Sequence, residues 1–120
     1  MKIRKLLKSF YHALQGWGHL FREQPNAWVH LTISVCVVLA GFFFQLTNAE
    51  WLWIIIAIGS VFSAELMNSA IEETVNFISP GFDKKAGKIK DLAAGAVFVT
   101  AIAAAIIGVI IFVPKFISYW

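Results

Sequence analysis

Glu65, Asn68, Glu72 and Asn76 stand in and just beyond a strongly apolar run at spacings i, i+3, i+7 and i+11, and a Lys90-Asp91 pair follows a short basic segment. At about 100° per residue these four side chains fall within roughly 80° of helix circumference, so one face of one helix carries them all. Charge in hydrocarbon is costly, and ionisable residues within a membrane span mark function by default. Two carboxylates beside a basic segment at a water-lipid boundary meet the needs of phosphoryl transfer onto a lipid hydroxyl. That reaction depends on a carboxylate to hold Mg2+, a lysine on the phosphates and a group that takes the hydroxyl proton. Glu72 is placed for the metal and Glu65 for the proton. Glu73 lies off the stripe and is expected to reach water or a neighbour.

The elements that must position these residues follow from composition. A 120-residue chain that is 59% hydrophobic and 14% charged is too apolar for a soluble domain of this length. About 20 helical residues cross roughly 30 Å of hydrocarbon. Three runs suffice: 28–46, 51–71 with a helical extension to 78, and 92–113, where Pro114 marks the expected end. Ahead of them, Ile3, Leu6, Leu7, Phe10, Leu14, Trp17 and Phe21 repeat at helical spacing among lysines and arginines. A surface helix over about 3–23 is expected, lying either in the headgroup region or against the protein's own spans. The fold class is therefore all-α, an amphipathic surface helix plus three transmembrane helices in a single domain over 1–120. Ser79-Pro80-Gly81 ends the second long helix and opens a lysine-rich loop.

Lysine and arginine precede the first span (Lys2, Arg4, Lys5, Lys8, Arg22) and the third (Lys84, Lys85, Lys88, Lys90), and the connection near 47–50 has none. The positive-inside bias puts the amino terminus in the cytoplasm and the carboxyl terminus outside. Counting about 20 residues from Trp51 places the cytoplasmic hydrocarbon edge near Ala70, with Glu65 about 7 Å inside it and Glu72 just outside. The small pairs Ala101/Ala105, Ala104/Gly108 and Gly59/Ser63 point to close helix packing, some of it between copies of the chain. Cys36, the sole cysteine, is read as a small hydrophobe.

The run AELMNSAIEETVN, followed by KIKDLAAGAV, resembles the signature of the prokaryotic integral-membrane diacylglycerol kinase and undecaprenol kinase family, and SFYHALQGWGHLFREQPNAWVH extends the resemblance towards the amino terminus. The resemblance implies a homotrimer with active sites shared between subunits, ATP as co-substrate, Mg2+ as cofactor and a membrane lipid as acceptor, in the prokaryotic inner membrane. By motif position Glu65 would be the catalytic base and Asn68 would support it or the acceptor. Glu72 would hold the metal of MgATP, Lys90 would contact ATP phosphates and Asp91 would complete the nucleotide site. The family's acidic metal ligand eight residues after the glycine matching Gly16 falls on Gln24, with Glu23 one residue earlier. Glu23 is the expected metal and nucleotide ligand and Gln24, through its carbonyl oxygen, the alternative. Asn76 stands where the family usually has an acid. The wording AAGAV leans towards the undecaprenol branch.

Other motifs weigh less. The segment Gly81 to Ile89 has five residues between its glycines and no Ser or Thr after the lysine, so it is not a P-loop. His12, His19 and His30 lack a second ligand at zinc spacing, and His30, which matches a histidine common in the family, is expected to make a structural polar contact. No nucleic-acid partner is expected. The alternative function is a small oligomeric proton- or ion-conducting protein with Glu65 as relay, which would leave Lys90-Asp91 and the position of Glu72 unexplained.

Overall fold

The computed structural model describes residues 2–120 and is all-helical: α1 Lys2–Glu23, α2 Pro25–Phe43, α3 Asn48–Ile78 and α4 Lys84–Tyr119. The last three are long and apolar enough to cross a membrane. At about 1.5 Å per residue, α3 (31 residues) and α4 (36 residues) exceed the roughly 30 Å that a bilayer requires, so both continue beyond it as helix. The two run antiparallel and form the most extensive helix contact in the molecule. The radius of gyration is 17.7 Å, well above the roughly 14 Å of a compact globule of this size. Many large apolar side chains are accordingly exposed on the surface of the single chain.

Several boundaries differ from the sequence expectation for identifiable reasons. α3 begins before Trp51 because Thr47 and Glu50 form a capping box, the Glu50 N–H donating to Thr47 Oγ1 (3.2 Å) and the Thr47 N–H to Glu50 Oε1 (2.9 Å). α2 stops at Phe43, short of Leu46, because Gln45 enters the left-handed region (φ 55°). There the Leu46 N–H donates back to the Gly41 carbonyl (3.1 Å) and the Gln45 N–H to the Phe42 carbonyl (3.3 Å), closing a Schellman turn. Gly41 is required at this corner, since a Cβ there would meet the Trp51 ring at 2.5 Å.

The lysine-rich loop is shorter than expected. Asp83 Oδ1 accepts from the Lys85 (2.8 Å) and Ala86 (3.2 Å) N–H groups, so α4 starts at Lys84 and all four lysines are helical. Nor does Pro114 end α4, which reaches Tyr119. The Lys115 Nζ to Glu50 ion pair (3.1 Å) and the packing of Tyr119 on Phe43 and Phe44 hold the last turns.

The buried core is divided. Leu20, Ala27 and Phe62 join α1, α2 and α3, and Leu46, Ile54 and Ile111 join the α2–α3 connection to α3 and α4 at the other end. On α1 only Leu20 is buried, with Trp17 and Phe21 partly covered; Ile3, Leu6, Leu7, Phe10 and Leu14 are exposed. The carboxyl-terminal part of the surface helix thus packs on the protein, and its first turns leave their apolar face open. Ala101, Ala104, Ala105 and Gly108 line a cavity of about 230 Å3 between α2, α3 and α4.

Candidate active site

Three polar pairings descend the same face of α3. Deepest is Glu65, only 3% exposed, whose Oε1 lies 3.0 Å from His30 Nε2 on α2, a hydrogen bond that the ring donates when Nε2 carries the proton. The register between these helices is set one turn earlier, where Ala27, fully buried against Leu20 and Phe62, allows α2 to approach α3 closely. About 10 Å further along α3, seven residues on, comes Glu72. Its Oε2 accepts from Gln24 Nε2 and its Oε1 from Asn68 Nδ2, each at 3.2 Å. One turn beyond, Asn76 Oδ1 accepts from Lys90 Nζ on α4.

Local structure explains why Gln24 reaches Glu72. Gln24 is the N-cap of α2 with an extended backbone (φ −116°, ψ 104°), and Pro25 follows as the first helical residue. Glutamine is a poor N-cap, and its side chain makes no capping bond. It crosses to α3 instead. Trp28 fastens the junction, its Nε1–H donating to the Phe21 carbonyl (2.8 Å). Glu23, the expected metal ligand, lies elsewhere: it lines a separate hollow with Gly16, His19, Ser69 and Glu73, and no hydrogen bond joins it to Glu72.

Asp91 is likewise apart. One residue past Lys90 turns it about 100° around α4, and it borders an open concavity with Phe82, Asp83, Lys84, Lys85, Gly87 and Lys88. The structure thus brings together Glu65 with His30, Glu72 with Asn68 and Gln24, and Asn76 with Lys90. No hydrogen bond joins Glu23 or Asp91 to Glu72.

The donor set around Glu72 suits a hard cation delivered with its phosphates. Asn68 Oδ1 is buried without a hydrogen-bond partner, an acceptor left unpaired beside a carboxylate. Among the described residues no group of three His, Cys, Asp or Glu could hold a metal. One carboxylate with amide oxygens is not a self-sufficient cage. Mg2+ commonly binds through one or two carboxylates plus substrate phosphates, and these residues fit that mode.

Comparison with known proteins bears on this geometry. The model of the prokaryotic diacylglycerol kinase family matches residues 11–112, a range that includes every residue of the three pairings. The chain belongs to that family. Undecaprenol kinase of Bacillus subtilis (strain 168) is 40% identical over 114 residues, covering 95% of this chain and 93% of the relative. Diacylglycerol kinase of Synechocystis sp. is 32% identical over 114 residues, 94% of this chain and 65% of the relative. Diacylglycerol kinase of Haemophilus influenzae is 30% identical over 106 residues, 88% of this chain and 86% of the relative. This protein is therefore a prokaryotic lipid kinase, and the polar face of α3 is the kinase's candidate active site.

Two features of the site could not be found by spacing along α3. Gln24 and His30 contact carboxylates 48 and 35 residues away. The available signal was chemical: an amide where a capping residue belongs, and an imidazole inside an apolar run.

Proposed function

We propose that the kinase transfers the γ-phosphoryl group of MgATP to the terminal hydroxyl of undecaprenol at the cytoplasmic leaflet, with diacylglycerol as the competing acceptor. The supporting observation is the ordering by depth along α3: a buried carboxylate, then a carboxylate framed by amides, then a lysine held against α3 by an amide. A lipid hydroxyl can reach the first from the membrane and a nucleotide can reach the others from water. The lean towards undecaprenol rests on the match to undecaprenol kinase over nearly its full length.

In this reading Glu65 takes the hydroxyl proton as the lipid oxygen attacks the γ-phosphorus; the new O–P bond forms as the bond to the β-phosphate oxygen breaks, and ADP leaves. Lys90, kept close to α3 by Asn76, pairs with phosphate oxygens and offsets their charge. Glu72, with the carbonyl oxygens of Asn68 and Gln24, would hold Mg2+, which supplies charge neutralisation for the transferring group. Gln24, the alternative to Glu23 for the second ligand, takes that role here, because it touches Glu72. Asp91 can contribute at the periphery of the nucleotide. Since this donor set is sparse and the apolar helix faces are open, the site is completed by another copy in a homotrimer, with the amino terminus in the cytoplasm.

The test is to supply the purified kinase in lipid micelles with γ-labelled MgATP and either lipid or both together. Label should enter undecaprenol in preference to diacylglycerol, and Glu65→Gln should lower the rate at least about a hundredfold. Undiminished labelling by that variant would remove Glu65 as the base; preference for diacylglycerol would reverse the acceptor assignment.

A further inference from the structure

Glu65 is the buried polar residue of the core, and burying a carboxylate is tolerated only when it is paired or hydrogen-bonded. Among the described residues its sole hydrogen-bond partner is His30. The imidazole is itself constrained, its ring standing edge-on to Phe62 (centroids 6.4 Å, 73°) beside the cavity between α2, α3 and α4. On the Phe62 that the His30 ring abuts pack Trp17, Leu20 and Phe21 of α1, and the α4 residues lining the cavity are alanines and a glycine. None of these is titratable, and none hydrogen-bonds the carboxylate.

We propose that His30 is a positioning residue for the phosphoryl transfer: by donating from Nε2 to one oxygen of Glu65, it fixes the carboxylate plane so that the other oxygen faces the acceptor hydroxyl. The inference rests on the reading of Glu65 as the base. A carboxylate has two equivalent oxygens and a broad terminal torsion, and without the imidazole it would rotate among orientations. Groups that orient a reacting residue typically contribute about tenfold to a hundredfold to the rate. His30 lies on α2 and its ring hydrogen-bonds Glu65 and none of Lys90, Asn68, Glu72 or Gln24, so its influence should fall on the chemical step and leave nucleotide binding alone.

The experiment compares His30→Leu and His30→Gln in full-length kinase, with kcat and the KM for MgATP measured at saturating undecaprenol and the melting temperature recorded alongside. His30→Leu should lower kcat about tenfold to a hundredfold with the KM for MgATP within about twofold of wild type. His30→Gln, which retains an N–H donor, should recover most of that loss. A His30→Leu kcat equal to wild type overturns the proposal. So does a His30→Gln variant as impaired as His30→Leu, or a rise in KM or fall in melting temperature that accounts for the lost activity in both variants. Glu65→Gln assayed in parallel separates the two readings. If it is fully active, the base assignment fails; if it is inactive and His30→Leu is unimpaired, only the positioning role fails.

Discussion

Glu50 and Glu72 are both glutamates on α3, near its opposite ends, and their surroundings could hardly differ more. Glu50 accepts the Thr47 N–H and lies 3.1 Å from Lys115 Nζ, so its charge is met by a cation and by the cap it helps to form. Glu72 accepts from two neutral amides and sits beside an unpartnered amide oxygen. The first carboxylate is complete within the fold. The second retains uncompensated negative charge in a group of oxygen donors, which is what a metal-nucleotide complex can use. Charge compensation, more than residue type, separates the structural acid from the one proposed to hold the metal.

The sharpest way to break that contrast is to remove each charge in turn. Glu72→Gln should lower lipid phosphorylation at least about a hundredfold while the helical fold, followed by circular dichroism, persists. Equal losses from Glu50→Gln would erase the distinction. Next in size, Lys90→Ala should raise the KM for MgATP by about tenfold to a hundredfold, the range expected for a lost charge-assisted hydrogen bond. Lys115→Ala, at the far end of the same helix, should leave that KM unchanged.

Gln24→Glu sharpens the comparison from the opposite direction. A second carboxylate against Glu72 should lower the melting temperature without metal and reduce the Mg2+ concentration for half-maximal activity by about tenfold, whereas Glu23→Gln should shift that concentration less than about threefold. Smallest of all, breaking the Glu50–Lys115 pair should cost about 0–1 kcal/mol of stability in a denaturation series and alter activity less than twofold.

The polar face of α3 was legible because one helix carries it, and helical spacing alone aligns Glu65, Asn68, Glu72 and Asn76. Its partners were legible only in part: the motif register offered Gln24 as the alternative to Glu23 and His30 as a polar contact, but not which carboxylate each would meet. His30 and Gln24 meet their carboxylates only through tertiary packing, and Gln24 rather than Glu23 reaches Glu72 because, as the extended N-cap before Pro25, it makes no capping bond with its side chain. The number and order of helices could be read from hydropathy, but their ends obeyed local chemistry. Thr47 and Glu50 spell a readable capping box. Gln45 in the left-handed region carries no comparable signal, since glycine or asparagine is the usual occupant. Pro114 misled because a proline can be tolerated late in a helix whose following turn is anchored elsewhere.

Glu65 and Glu72 occupy one unbroken helix of 31 residues, longer than the hydrocarbon thickness of a bilayer. Their spacing is therefore a fixed ruler, indifferent to the membrane around it. A thinner or thicker bilayer can slide or tilt that ruler but cannot lengthen it. Membrane thickness would then govern whether an acceptor headgroup lies level with the buried acid, and leave the interval between acceptor and nucleotide untouched.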